Sequence, residues 1–365
     1  MSQPAGTINR IDSLDYLRGL AALGIMCYHM YLFTYGEADS SSVFAKIKIY
    51  GVSIFYVLSG LTLYLVSIKR FSFTKPVLKE FYIKRFFRIV PLLWMATALT
   101  MLVAFQPEYL GLKKLIANIT IIPGAIKPET FIANGAWSIG DELFFYMLFP
   151  FLLLLVKINK WLFYGFTLLS LAILAYFSFK VLNPVVPLGQ QWAAYVNPVG
   201  QMFYFAMGIT LGVVERDMKK FGIWAVLAIV VVCGLIVSYP VTGEPVQLVT
   251  GYNRMVLSVL VVFLCFLFYK TDFDFLPEIG KRSLRFLGEV SFSVYLIHPI
   301  IYAVIKMTAS SFFEANPMVL IGLTVVLSLV LSYFNYIYFE MFFIRKGKAI
   351  SARFAGSPPV KPEKL

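Results

Sequence analysis

The chain has 365 residues, of which 59% are hydrophobic and 14% are charged, and its formal net charge at pH 7 is +13. Soluble domains average about 45–50% apolar and about 25% charged residues, so this composition excludes an ordinary soluble protein and indicates an integral membrane protein. The positive charge does not indicate nucleic-acid binding, because the basic residues lie in short gaps between apolar runs, which is the pattern that orients membrane proteins.

Ten apolar runs follow one another along the chain, and a spanning helix needs about 20 mostly apolar residues. The runs cover residues 17–35, 50–68, 88–105, 137–156, 161–180, 199–214, 222–240, 254–270, 286–306 and 317–339. We therefore predict an all-α membrane protein of about ten transmembrane helices, with its transmembrane domain over residues 17–343. A polar N-terminal tail, 1–16, precedes that domain, and a basic, proline-containing tail, 344–365, is predicted to be disordered.

The basic residues also predict the orientation. With the N-terminus inside, 24 of the 32 Lys and Arg fall on the inner side, so we expect both termini in the cytoplasm. The three cysteines, Cys27, Cys233 and Cys265, all lie in apolar runs, where they act as small hydrophobes. Their spacing predicts neither a disulfide framework nor a metal site.

The first apolar run carries two costly polar groups, Arg18 and His29, in a chain with only two histidines. Ionisable side chains inside a membrane are functional candidates by default. Eleven residues at about 100° each leave the two only about 20° apart on a helix, and about 16 Å apart along its axis. We interpret them as one stripe, with Arg18 at the cytoplasmic mouth and His29 towards the outer side. The alternative for Arg18 is an ordinary interface anchor.

Two further ionisable residues are expected at the depth of His29. Counting from Trp137, taken as the outer end of its helix, places Glu142 about 8 Å deep, and His29 is about 9 Å from the outer end of its own helix. His298 lies near the same level, beside the kink expected at Pro299, and we favour a structural hydrogen bond there over a place in the site. For Glu142 the alternative is a polar partner that ties helices together.

The segment "YIKRFFRIVPLLW" places Arg85 and Arg88 three residues apart, on one helix face at the cytoplasmic start of the third run. Two guanidinium groups there suit phosphates or a pyrophosphate, while the alternative is a role in topology or in binding anionic lipids. A histidine can take a proton from a hydroxyl, and a nearby carboxylate can orient it. The chain contains no serine-nucleophile, P-loop or zinc motif, which leaves general-base transfer from an activated donor to a hydroxyl.

These motifs resemble the membrane acyltransferase family 3 in their order along the chain. They are "LDYLRGLAAL", with ten residues between its arginine and the following His29, then "GVSIFYVLSG", "KRFFRIVPLLW", "AWSIGDELFFY" and "LGEVSFSVYLIHP". The resemblance covers about residues 10–340. It implies a bacterial inner-membrane, multi-pass enzyme that moves an acyl group, most often acetyl, from cytoplasmic acyl-CoA to a hydroxyl of a glycan or lipid-linked sugar. The implied partners are acyl-CoA, the sugar acceptor and membrane lipids, with no bound cofactor or metal.

The resemblance also implies roles for individual residues. It gives acyl transfer to His29, support of the site to Glu142, and donor binding to Arg18, Arg85 and Arg88. Possible supporting residues are Asp15, Trp137, Ser138 and His298. Some family members carry an extra extracytoplasmic esterase-like domain that this sequence does not contain, so we expect transfer to be completed in the membrane domain or by a separate protein.

Two other classes of function fit the same composition. A transporter or flippase of a lipid-linked sugar or organic solute explains ten spans and intramembrane charges equally well, and it predicts no dependence on acyl-CoA. A membrane scaffold or sensor leaves the Arg18–His29 stripe unexplained.

Overall fold

The structure is a computed structural model that describes residues 11–215, 220–308 and 316–355. It is 83% helical, and no strand occurs among those residues. The first helices are α1 (Asp12–Tyr35), α2 (Val43–Ser67), α3 (Lys75–Val103), α4 (Leu112–Thr120), α5 (Ile122–Ile126), α6 (Trp137–Ile158), α7 (Lys160–Tyr176) and α8 (Trp192–Tyr195). The others are α9 (Pro198–Glu215), α10 (Ile223–Ser238), α11 (Val246–Val249), α12 (Gly251–Lys270), α13 (Glu278–Thr308), α14 (Pro317–Phe334) and α15 (Met341–Ala355).

Each of the ten predicted runs falls on a helix. Seven helices in the described parts of the chain are long and apolar enough to cross a membrane, namely α2, α3, α6, α7, α12, α13 and the continuous α14–α15. Helices α9 and α10 are apolar but shorter, and α1 has 24 residues with three charged groups in its first two turns. The all-α multi-pass architecture is therefore confirmed, while the count of ten spans and the cytoplasmic termini stay predictions.

Helix α1 packs between α2 and α13. Helices α1 and α13 run parallel in one register, because three contacts along them join residues that are 269 positions apart in sequence: Gly19 with Gly288, His29 with His298, and Phe33 with Tyr302. At Gly19 a Cβ atom would lie 2.6 Å from the backbone nitrogen of Gly288, so the helices approach as closely as glycine permits. A parallel pair agrees with their predicted places as the first and ninth spans.

The proline- and glycine-containing segment before α6 folds into the bundle. It forms α4 and α5, and the Asn118 side-chain oxygen accepts a hydrogen bond of 3.0 Å from the backbone of Ile132. The residues that follow, Ala133 and Ala136, are buried. Because these residues lie inside the protein, Trp137, at the start of α6, also lies inside it and not at the end of the bundle.

The predicted disorder from residue 344 is wrong as far as residue 355, because α15 is a helix that packs against α3. The rings of Phe87 and Phe343 stack at 6.5 Å, and the backbone at Gly347 lies against Phe87. The sequence there is basic, but its apolar side chains fall on one helix face, which finds a partner on α3. Residues 356–365 lie outside the described residues.

Candidate active site

Two cavities lie end to end within the bundle. The first, of about 340 Å³, is the arginine cavity, whose polar lining residues include Arg18, Arg85, Arg88, Ser59, Glu142 and Tyr146. The second, of about 1090 Å³, is the histidine cavity, which is lined by His29, Lys48, Tyr28, Trp137, Trp192 and Tyr195, among others. Among the described residues, Tyr295 is the one that lines both cavities.

The arginine cavity holds three cations and two carboxylates. The guanidinium of Arg18 donates a hydrogen bond of 2.7 Å to Asp15, one turn earlier on α1. Across the cavity, Glu142 accepts a hydrogen bond of 2.5 Å from the hydroxyl of Ser59, which also lies 3.3 Å from the hydroxyl of Tyr146. The carboxylates hold the polar walls in place and offset part of the positive charge.

Arg85 and Arg88 enter this cavity from α3, as their spacing predicts. The guanidinium of Arg85 lies 5.9 Å from the ring centres of Phe81 and Tyr146, which hold it by cation–π contacts. Its Nε atom is buried without a hydrogen-bond partner among the described residues. Arg88 is exposed, at the edge of the cavity. A half-buried guanidinium with an unused Nε donor suits an anionic ligand, since arginine pairs with phosphate oxygens in a forked geometry.

The two histidines of the chain meet at the histidine cavity. Nδ1 of His29 lies 2.7 Å from Nε2 of His298, and their rings stack with centres 5.0 Å apart. Nδ1 of His298 lies 2.7 Å from the carbonyl oxygen of Val294 on its own helix. His298 is fully buried, whereas His29 is half-buried and lines the cavity.

These contacts determine where the protons of the neutral pair lie. A carbonyl oxygen can only accept, so Nδ1 of His298 carries the proton that is donated to Val294. Nε2 of His298 is then an acceptor, and Nδ1 of His29 must be the donor to it. Nε2 of His29 therefore keeps its lone pair. The arrangement is that of a general base held in one tautomer by a second residue, with a neutral imidazole in the place that an aspartate takes in hydrolase triads.

Aromatic side chains form one wall of the histidine cavity. The ring of Trp137 lies 5.4 Å from that of Trp192 and 5.7 Å from that of Tyr195. Lys48, which lines the same cavity, lies over the ring of Tyr28 and forms a 2.8 Å ion pair with Glu37. Flat aromatic surfaces beside polar groups suit a ligand that has both apolar and hydroxyl-bearing faces.

Comparison with known proteins agrees with this chemistry. Residues 11–337 match the family described as an acyltransferase domain, acyltransferase 3. The chain belongs to this acyltransferase family. It is 26% identical over 166 residues to the peptidoglycan O-acetyltransferase OatA of Listeria monocytogenes. That alignment covers 40% of this chain and 25% of the Listeria protein. It is also 22% identical over 373 residues to the O-acetyltransferase OatA of Staphylococcus aureus strain NCTC 8325. That alignment covers 92% of this chain and 58% of the Staphylococcus protein.

The chain thus spans only part of the length of the curated relatives it matches. No solved structure matches it. Family membership identifies the protein as an acyltransferase, and its apolar helices identify it as a multi-pass membrane protein.

One expectation about the acyltransferase site needs correction. Glu142 was expected at the depth of His29, but the two residues line different cavities. Gly51 of α2 packs against Ile25 of α1, which fixes a common level on the two helices. Ser59, whose hydroxyl donates to Glu142, lies eight residues after Gly51, or about 12 Å from that level towards the Arg18 end of α1. His29 lies four residues, about 6 Å, from Ile25 in the opposite direction. Glu142 is therefore a residue of the arginine cavity.

The counting failed because α6 does not begin at the end of the bundle. The carbonyl of Gly135 accepts a hydrogen bond of 3.0 Å from the hydroxyl of Tyr295, which lies three residues before His298. The start of α6 is thus near the level of the histidine pair, and Glu142, five residues after Trp137, lies about 8 Å deeper. The sequence predicts the carboxylate of Glu142 as the partner of His29, but in the structure that partner is His298.

The supporting residues divide between the cavities. Asp15 and Ser138 line the arginine cavity, and Trp137 lines the histidine cavity. For His298, the structural hydrogen bond that we favoured is present, and the ring contacts His29 as well. Sequence reasoning missed Tyr146 and Tyr295. Tyr146 lies one helical turn after Glu142 and Tyr295 nearly one turn before His298, so helical spacing is the signal that could have found them.

Proposed function

We propose that this acyltransferase is an O-acyltransferase that uses acyl-CoA, with acetyl as the expected acyl group, to acylate a hydroxyl of a cell-surface or lipid-linked glycan. The family match supports acyl transfer, and the names of the relatives support a sugar polymer as the acceptor. The proposed location is the inner membrane of a bacterium, with the arginine cavity facing the cytoplasm.

The donor is proposed to bind in the arginine cavity. Coenzyme A carries phosphate groups, and the cavity offers the guanidinium groups of Arg18, Arg85 and Arg88. Arg88, at the exposed edge, would meet the phosphates first, and the pantetheine arm would extend past Arg18 towards His29. That axial distance is about 16 Å, which an extended pantetheine arm can cover.

The chemistry is proposed at Nε2 of His29. This nitrogen removes the proton of the acceptor hydroxyl as the oxygen attacks the thioester carbonyl carbon. The new C–O bond forms, the C–S bond breaks, and the proton passes from His29 to the departing sulfur. His298 stabilises the intermediate imidazolium of His29, because a hydrogen bond from a charged donor is stronger than one from a neutral donor. A transient acyl group on the same nitrogen would use the same geometry.

The acceptor is proposed to lie in the histidine cavity, against the aromatic wall of Trp137, Trp192 and Tyr195. Sugar rings have apolar faces that stack on such surfaces, while their hydroxyls reach polar groups at the edges. The cavity is about three times the volume of the arginine cavity, which suits a sugar better than an acyl arm.

The observation that carries the proposal is the 2.7 Å contact between His29 and His298, because it leaves a basic nitrogen facing a cavity. The test is transfer of labelled acetyl from acetyl-CoA to a panel of glycans by the purified protein in lipid nanodiscs. His29→Asn should lower transfer by about 10²–10⁴-fold, the usual contribution of a general base.

Cys27→Ala is the matched control, since Cys27 lies two residues earlier on the same helix and serves no proposed step. This variant should retain wild-type transfer, and both variants should be equally monodisperse after purification. Wild-type transfer by His29→Asn would contradict the assigned base. Transport of a labelled sugar that is independent of acyl-CoA, with no acetyl transfer by the wild-type protein, would instead favour the transporter alternative.

A further inference from the structure

Tyr295 stands where the two cavities meet. The helices that line both cavities pass without interruption from one to the other. Helix α2 contributes Val52 to the histidine cavity and Phe55 to the arginine cavity, and α6 contributes Trp137 and Ser138 in the same way. The side chain of Tyr295 projects from α13 into this shared layer and is only 6% exposed. Tyr295 therefore stands at the boundary between the two spaces.

The hydroxyl of Tyr295 is held by two neighbours on and before α6. It lies 2.8 Å from the hydroxyl of Ser138 and donates to the carbonyl oxygen of Gly135 at 3.0 Å. The ring meets that of Phe55 edge-on, with centres 5.9 Å apart. These contacts connect α13, α6 and α2 across the layer.

The same cluster can release the tyrosine at low cost. The hydroxyl of Ser138 also lies 3.0 Å from the Gly135 carbonyl, to which it can donate without Tyr295. When Tyr295 turns away, Ser138 satisfies that carbonyl, so no buried acceptor is left without a donor. Opening then forfeits about one net hydrogen bond and not the larger penalty of an unsatisfied buried group.

A barrier at this position has a chemical consequence. If the thioester enters through the arginine cavity and His29 lies in the histidine cavity, the acyl carbon must pass the layer of Tyr295. While the layer is closed, water near His29 cannot reach the thioester.

We propose that Tyr295 is a movable partition that admits the acyl group of the donor to the histidine cavity and prevents wasteful hydrolysis when no acceptor is bound. This inference rests on the proposed function for its chemical role. Its structural content, a closed layer between two cavities, is independent of that function.

The structural content is tested by side-specific labelling of the full chain in sealed vesicles. The three cysteines are replaced by serine, and Thr62, which lines the arginine cavity, is changed to cysteine. In a separate sample, Lys48→Cys reports on which vesicle face the histidine cavity opens. A membrane-impermeant thiol reagent is then applied from that face.

The cysteine at position 62 should be protected in the protein with Tyr295. Tyr295→Phe removes both hydroxyl contacts and should raise its labelling rate about tenfold, and Tyr295→Ala should raise it further. Tyr50→Phe is the matched control, because the buried hydroxyl of Tyr50 also donates to a backbone carbonyl, that of Leu248, and the residue lines neither cavity. It should leave labelling unchanged. Equal labelling with Tyr, Phe and Ala at position 295 would overturn the partition and leave the proposed function standing.

The chemical role is tested by comparing acetyl-CoA hydrolysis without acceptor to transfer with acceptor. In Tyr295→Phe the ratio of hydrolysis to transfer should rise by about the same tenfold, because the open state is more populated. In Tyr50→Phe the ratio should equal that of the wild type. An unchanged ratio in Tyr295→Phe would refute the role in preventing hydrolysis. If no variant turned over acetyl-CoA, the proposed function would fail, and labelling would still decide whether the partition exists.

Discussion

His298→Phe isolates the contribution of the second histidine to the chemistry. The phenyl ring fills a similar volume in the fully buried site but accepts no hydrogen bond from His29 and donates none to Val294. His29 then loses the neighbour that keeps its proton on Nδ1, and its imidazolium loses a charged hydrogen bond. We expect kcat to fall, because both effects act on the base and not on donor binding.

The magnitude follows from the 2.7 Å contact between the two rings. A hydrogen bond to a charged group contributes about 1.5–3 kcal/mol, and each 1.36 kcal/mol in the barrier is tenfold in rate, so kcat should fall about 10–150-fold. This loss is smaller than the one expected for His29→Asn. The KM for acyl-CoA should stay within about twofold of the wild type, since His298 lies behind His29 and away from the arginine cavity.

The assay is steady-state transfer of labelled acetyl, with kcat and KM measured separately for donor and acceptor. His298→Gln is the informative companion, because its amide can accept from His29 through oxygen and donate to Val294 through nitrogen. It should recover part of the lost kcat, which a purely structural role for His298 would not predict. A wild-type kcat in His298→Phe would refute the assigned tautomer and the orienting role.

Three further predictions concern the arginine cavity and the helix pair. Replacing both Arg85 and Arg88 by Ala should raise the KM for acyl-CoA at least about tenfold, because charged hydrogen bonds to the donor are lost. Lys84→Ala, on the same helix, should leave that KM unchanged. If the double variant and the wild type had equal KM values for acyl-CoA, the arginines would instead have a role in topology. Glu142→Gln keeps an acceptor for Ser59 and should alter the KM for the donor, whereas a 100-fold loss of kcat alone would restore the idea that Glu142 orients His29. Gly19→Val should lower the free energy of unfolding by about 1–3 kcal/mol, measured by thermal unfolding, and should lower acetyl transfer in parallel. A wild-type melting temperature in this variant would contradict the close approach of α1 and α13.

The helical fold could be predicted from the sequence because the length of an apolar run is a local property. Each of the ten runs is a helix, and Arg85 and Arg88 share a face as their spacing predicts. The stripe of Arg18 and His29 likewise lines two cavities that meet end to end. These predictions depended on residues within one helix, where periodicity determines direction.

The rest could not be predicted, because it depends on contacts between distant segments. The depth of Glu142 depends on how the segment before α6 folds inward, and a count from the end of an apolar run cannot detect this. The pairing of His29 with His298 joins residues 269 positions apart. A lone histidine beside a proline fits a structural bond to its own helix, and only the packing of α13 on α1 brings it to the site.

The constant register between α1 and α13 links packing to chemistry. In parallel helices, one offset applies along the whole contact, so the offset at Gly19 and Gly288 is also the offset at the two histidines. A Cβ atom at Gly19 would push the two helices apart at that point. Gly19 lies ten residues, or about 15 Å along α1, from His29. A general base needs its partner within hydrogen-bond reach, so a shift of 1 Å there would weaken the pair. The glycine contact, which touches neither cavity, thereby helps to position the proposed catalytic nitrogen.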